Sequence, residues 1–297
     1  MGINTEMVYV LATLERAGEL AGKSRIVELG SQDVSAHPDS LRAAERSCFG
    51  MERGGAPENA AAFYRRYGLT DYACLDAGGS PTEGRMIADL NEPVPGGMLG
   101  CGPFDVVTNL GTSEHCFNQA AVFANVHELC AVGGLMIHVL CAQGLVNHGY
   151  FNYHPRMVHE LAGSNRYDIL NLWFTVDFTS HLIDYNSRSF REYDDRDVML
   201  YVVLRKMNGS PFRLPFDTMF ASQSKLKSYD NICRLNREQF SPYVKGNWSN
   251  ATARDAFMRA PPPPRAALED GAASGSVSRL TETLARIRRA LLESSNR

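Results

Sequence analysis

A chain of 297 residues that is 44% hydrophobic and 21% charged has the make-up of an ordinary globular protein, which excludes disorder of the whole chain. Its 30 basic and 33 acidic residues leave a net charge of -3 with no basic block along the main body, so no nucleic-acid partner is expected. No run approaches the ~18 apolar residues of a membrane helix, and MGINTEMVYV lacks the pattern of a secretory signal; a cytoplasmic protein without a membrane partner is expected.

Thr5 to Ala21 carries Met7, Val10, Leu14 and Ala17 at helical spacing, with Asn4 or Thr5 available as the N-cap, and predicts a helix that lids or braces the sheet. Five short apolar runs then alternate with helical patterns: Ser24 to Gly30, Tyr72 to Asp76, Arg85 to Asp89, Phe104 to Leu110 and Leu135 to Leu140. That alternation predicts parallel strands covered by helices. Between Phe117 and Leu129 the spacing predicts a helix that Gly133 and Gly134 terminate, and Pro155 suits the first turn of a short helix ending near Gly163. Asp168 to Val176 and Val198 to Met207 are β-rich and joined by a polar stretch, which fits an antiparallel pair at the sheet's edge. The fold class is therefore α/β: a Rossmann-like, seven-stranded, mostly parallel sheet with an antiparallel edge strand and helices on both faces.

Residues 1–22 form the N-terminal helix, 23–207 the Rossmann-like domain and 208–258 its C-terminal extension. Residues 259–276, with Pro261 to Pro264 and an Ala/Gly/Ser-rich stretch, read as a linker, and 277–297 as an amphipathic heptad helix. Two readings of that last element stand side by side: self-association as a coiled coil through residues 277–292, or a single helix docked on its own domain. The seven cysteines are widely and irregularly spaced without a C-x-x-C pair, so reduced, mostly buried thiols are expected.

Ligands in open α/β sheets sit beyond the carboxyl ends of the strands. There the chain places Glu28-Leu29-Gly30-Ser31-Gln32-Asp33, a carboxylate followed by a glycine where backbone must approach a ligand closely. Asp76 closes the second strand, where a carboxylate accepts both hydroxyls of a ribose, and Asp89-Leu90 comes after the third, placed to receive the exocyclic amine of a base. No G-x-G-x-x-G succeeds the first strand, which ranks a nicotinamide-dependent oxidoreductase well behind.

ELGSQD (Glu28 to Asp33), CLDAGG (Cys74 to Gly79), ADLNEPVP (Ala88 to Pro95), FDVVTNLGTSEH (Phe104 to His115) and GGLMIHV (Gly133 to Val139) together resemble the class I S-adenosylmethionine-dependent methyltransferases, specifically the broad methyltransferase-domain group whose first motif reads E-x-G-S-x-D. The resemblance covers roughly Arg25 to Met207. It implies S-adenosyl-L-methionine as cofactor, with Glu28 and Gly30 lining its methionine end, Asp76 on the ribose, Asp89 and Leu90 on the adenine and Asn109 to Thr112 bordering the sulfonium. Ser31, Asp33, Ala77, Leu110 and Gly111 complete the expected cofactor-binding set. The implied reaction moves a methyl group to oxygen or nitrogen of a small polar metabolite, of natural-product or sugar type. A noncatalytic cofactor-binding or scaffold protein is the alternative.

Methyl transfer to a hydroxyl or protonated amine needs a proton acceptor. The candidates are His115, in the Ser113-Glu114-His115 turn, and His148, Tyr150, Tyr153 and His154 in the loop NHGYFNYHP. His115 and His148 are the catalytic candidates; packing under the cofactor and anchoring of the loop are their respective structural alternatives, and His154 before Pro155 reads as a helix cap. No H-x-x-x-H or H-x-H spacing places two histidines on one face, so no metal is expected. His138 lies inside an apolar strand and reads as a core residue. Ser113 lacks the G-x-S-x-G elbow of a hydrolase.

Overall fold

The computed structural model describes residues 2–78, 83–94, 103–179, 181–186, 190, 193 and 195–215. Everything expected of residues 216–297, including the linker and the heptad helix, lies outside them. So do Gly79 and Pro95 of the motifs.

Helix α1 (Thr5–Arg16) precedes β1 (Arg25–Leu29), α2 (Pro38–Phe49), α3 (Ala60–Arg65), β2 (Asp71–Asp76), β3 (Arg85–Ile87) and β4 (Phe104–Leu110). A 3₁₀ turn, Ser113–His115, leads to α4 (Gln119–Leu129), β5 (Cys130–Gln143), α5 (Pro155–Asn165), β6 (Tyr167–Val176), β7 (Ile183–Asp184) and β8 (Val198–Lys206). The strands form one sheet in the order β3-β2-β1-β4-β5-β8-β6-β7. From β3 to β5 all pairings are parallel; β8 runs antiparallel to both β5 and β6, and the edge strand β7 runs antiparallel to β6. Eight strands replace the seven expected. The extra one is the two-residue β7, too short to leave a periodic signal, which lies outside the expected antiparallel pair of β6 and β8.

Helices cover both faces, as an α/β sheet requires. On one face Val27, Leu29, Leu75 and Val107 pack with Val122, Phe123 and Val126 of α4 and Val158 and Leu161 of α5. On the other, Ile26, Val106 and Ile137 pack with Met7, Leu11 and Leu14 of α1, Leu41 of α2 and Phe63 and Tyr64 of α3. Burying each such side chain stabilises the fold by about 1.5–3 kcal/mol before entropy is counted. The five described cysteines, Cys48, Cys74, Cys116, Cys130 and Cys141, are buried and form no disulfide. Among the described residues no helix is long and apolar enough to cross a membrane.

Local chemistry explains where elements stop. Helix α1 ends at Arg16, short of Ala21, because Gly18 adopts left-handed backbone (φ 76°). Its N-cap residue Asn4 donates its side-chain amide to the Tyr201 hydroxyl (2.7 Å), tying the helix to β8. The long crossover between β1 and β2 holds two helices, started by His37 ahead of Pro38 and by Asn59, whose Oδ1 accepts the Ala62 amide at 2.8 Å. Gly133 and Gly134 do not terminate α4, contrary to expectation. The helix has already ended at Leu129, and both glycines lie within β5 where its pairing with β4 shifts register. His154 caps α5 as read from the sequence, its Nδ1 accepting the Arg156 amide at 3.1 Å.

Candidate functional site

The carboxyl ends of the parallel strands form one continuous edge, and the turns after β1, β2 and β4 are bonded to each other there. Gly30 succeeds β1 with φ 73°, its amide donating to Leu75 O of β2 at 2.7 Å. A Cβ at Gly30 would lie 2.5 Å from Thr112 Oγ1, so only glycine lets the two turns approach. Thr112 Oγ1 donates to Leu29 O (2.7 Å) and accepts from Gln32 Nε2 (3.2 Å). The Ser31 amide donates to Asp76 Oδ2 at 2.7 Å, and the Gly78 amide to Asp76 Oδ1 at 2.8 Å. Each oxygen of Asp76 thus keeps acceptor capacity for a further donor. Ala77 beside it is exposed, and so is Asp33, whose backbone carbonyl instead receives the Ile3 amide at 2.8 Å.

Beyond β3, Asp89 is exposed and its Oδ1 accepts both the backbone and side-chain amides of Asn91 at 2.9 Å, which holds its carboxyl below the usual range. Leu90 is buried, and its carbonyl accepts from Asn125 Nδ2 at 3.3 Å. Asn118, the N-cap of α4, bonds the Asn91 side chain and backbone at 2.9 Å, fixing this loop to the one after β4.

Three expected cofactor contacts are turned inward. Glu28 is fully buried on the α3 face, not at the edge: its Oε1 accepts from the Tyr64 hydroxyl and its Oε2 from the Tyr72 hydroxyl, both at 2.8 Å. Strand parity is the reason, because Glu28 shares its face with Ile26. Burial pushes its carboxyl up to about 8 against the lowering effect of the tyrosine hydrogen bonds. Asn109 is likewise buried, its amide committed to Ser113 and to His138 Nδ1 (3.2 Å). Leu110 packs in the core. Gly111, in contrast, turns the chain out of the sheet at φ 72° with its amide on Val139 O at 3.0 Å. His138 is the core residue expected, and burial lowers it to about 4.

The 3₁₀ turn after β4 and the loop after β5 meet at the same edge. Glu114, fully buried, receives the Cys141 thiol on Oε1 at 3.3 Å and lies 3.6 Å from His148 Nε2. The His115 and His148 rings sit 5.0 Å apart at 67°. The Tyr150 amide donates to Glu114 O at 2.7 Å, and Tyr150 itself forms an exposed aromatic lip with Phe117. Tyr153, by contrast, is buried and donates to Gln119 Oε1 at 2.7 Å, which makes it a brace. Motif reading singled out both histidines and placed Thr112 at the sulfonium; it assigned no role to Glu114 or Gln32, whose importance comes from contacts between distant turns. A small cleft also opens on the α3 flank, between Ser31 to Val34, Glu58 to Ala61, Tyr72 and Glu83.

No family model matches the chain, and no curated protein does. Solved structures do. The O-methyltransferase segment of StiE (residues 961–1257) is 15% identical over 79% of this chain and 81% of that one, with a TM-score of 0.36. The 1,6-didemethyltoxoflavin-N1-methyltransferase of Burkholderia thailandensis, solved with bound 1,6-didemethyltoxoflavin and S-adenosylhomocysteine, is 11% identical over 68% of this chain and 80% of that one, TM-score 0.39. An S-adenosylmethionine-dependent methyltransferase from Mesorhizobium loti is 14% identical over 65% and 97%, TM-score 0.37. The fold of the chain is a Rossmann-like α/β fold with a mixed sheet, defined by its strand order and the reversed β8.

Proposed function

We propose that the protein is an S-adenosylmethionine-dependent methyltransferase that moves a methyl group to oxygen or nitrogen of a small polar metabolite, of natural-product or sugar type. The observation that carries this reading is the Ser31–Asp76 bond beside the glycine turn, which joins the tips of β1 and β2 at one edge. Asp76 would take the ribose hydroxyls on its remaining lone pairs. Asp89, with the backbone at Leu90, would take the adenine amine, and Gly30, Ser31, Asp33 and Gly111 would border the methionine and sulfonium. Ala77 would pack beside the ribose. Glu28, Asn109 and Leu110 hold these turns from behind.

The cofactor supplies an activated methyl group, so the protein's task is alignment of nucleophile, methyl carbon and sulfur in a site that excludes water. His148 and His115 stand where the loops after β4 and β5 meet, and would receive an acceptor's proton; buried Glu114 lies 3.6 Å from His148 Nε2. The test is transfer of labelled methyl from S-adenosylmethionine to fractionated small-molecule extract. Label in a low-molecular-weight product, lost in the Asp76→Ala variant, supports the reading. Cofactor binding without transfer to any fraction leaves a noncatalytic binding protein.

A further inference from the structure

Linear spacing offers no metal-ligand pattern in this chain, yet the fold gathers one. Glu114 and His115 are consecutive in the 3₁₀ turn after β4, and His148 comes from the loop after β5. One donor atom from each lies within 4.8 Å of the others. Two of the atoms involved are buried without a hydrogen-bond partner: Glu114 Oε2 and His148 Nε2. Buried polar atoms are otherwise almost always satisfied, and a desolvated carboxylate oxygen without a donor is costly unless a cation accompanies it.

The Glu114–His148 separation is too long for a direct bond and about 0.2 Å longer than two ligands of one ion require. Glu114 Oε1 and His148 Nε2 stand 3.6 Å apart, long for a hydrogen bond. Two ligands about 2.1 Å from one ion at octahedral to tetrahedral angles stand roughly 3.0–3.4 Å from each other. The loop that delivers His148 is built for this approach. Leu145 and Asn147 both hold positive φ (52° and 67°), and Leu145 N is anchored to Asp197 Oδ1 at 2.7 Å. At Gly149 a Cβ would lie 2.8 Å from Glu114 Cγ, so the backbone there can rest on the carboxylate side chain only as glycine.

We infer that Glu114, His115 and His148 form a divalent metal site. Two imidazoles and one carboxylate select a first-row ion of the Zn²⁺, Fe²⁺, Co²⁺ or Mn²⁺ type over Ca²⁺ or Mg²⁺, and leave coordination positions open toward solvent through His115, which is exposed. The site's use in catalysis rests on the methyltransferase reading, and it favours an oxygen acceptor. A hydroxyl that binds the ion loses its proton to water; its oxygen then bonds the methyl carbon as the C–S bond breaks. The electron pair passes to sulfur, leaving the neutral thioether of S-adenosylhomocysteine. The histidines would then serve as ligands to the ion, with water instead of imidazole taking the proton.

The test uses the tag-free full chain, stripped with a chelator and titrated with Co²⁺ by visible absorption and with Zn²⁺ by calorimetry. One saturable equivalent, visible Co²⁺ bands, and affinity reduced at least about 100-fold in His148→Ala and His115→Ala support the site. His115 is exposed, so its variant keeps the test decisive even where Glu114→Gln fails to fold. Absence of saturable binding, or equal affinity in wild type and both histidine variants, overturns it. S-adenosylhomocysteine is titrated separately into metal-free protein. Its binding without any metal binding removes only the metal site, whereas metal binding without nucleoside binding removes the methyltransferase reading and leaves the metal site standing.

Discussion

The backbone amide of Ser31 donates to Asp76 Oδ2 at 2.7 Å, so the carboxylate proposed to hold a ribose also holds the turn after β1. Asp76→Ala therefore loses a ligand contact and loosens a neighbouring contact surface together. We expect S-adenosylhomocysteine affinity to fall by roughly 10- to 100-fold, the scale of one or two hydrogen bonds to a charged group. Asp76→Asn, which keeps one acceptor oxygen, should fall between. Calorimetry on the three proteins checks the order.

Gly30 and Thr112 form a second test of the same edge. Gly30→Ala places a methyl 2.5 Å from Thr112 Oγ1 at a positive φ, and should lower stability by about 1–2 kcal/mol from the backbone alone, with more from the clash. Adding Thr112→Ala removes the two nearest atoms that the methyl meets but not the backbone strain. The double variant should recover part of the loss, so a denaturation cycle in which the two changes merely add would contradict the contact.

Glu28 makes stability depend on pH in a direction unusual for a carboxylate. Burial raises it from 4.5 to about 8 in the folded protein, so between those values the folded state holds a proton that the unfolded state has released. Its contribution is full below about 4.5 and is lost as pH rises through about 8. Glu28→Gln cannot lose a proton there. Denaturant unfolding at pH 6 and pH 9 should show wild type losing more stability than the variant across that interval, and a parallel pair of curves would contradict the raised value.

His148→Ala should lower turnover by roughly 10²- to 10⁴-fold, the range for removal of a proton-transfer group, with cofactor affinity little changed. A loss confined to cofactor binding would make the histidine a loop anchor instead.

Much of the fold was legible because alternating apolar runs and strand-ending Gly, Asp and Asn residues report local structure directly. What was hidden depends on contacts between turns far apart in sequence. Glu28 illustrates the point: its motif position marked it for the cofactor, whereas its parity with Ile26 sends it to Tyr64 and Tyr72 on the α3 face. Glu114 illustrates the converse. It carries no motif spacing with His148, and only the meeting of the turn after β4 with the loop after β5 brings them to 3.6 Å. The two-residue β7 left no periodicity to read.

The central claim, that the joined tips of β1, β2 and β4 cradle an adenosyl cofactor, is tested most directly by calorimetric titration of the purified chain with S-adenosylhomocysteine and, separately, with NAD. Saturable binding of one equivalent of S-adenosylhomocysteine, weakened by Asp76→Ala, with no binding of NAD, is the expected result. Binding of NAD alone, or S-adenosylhomocysteine affinity indifferent to Asp76, would contradict it.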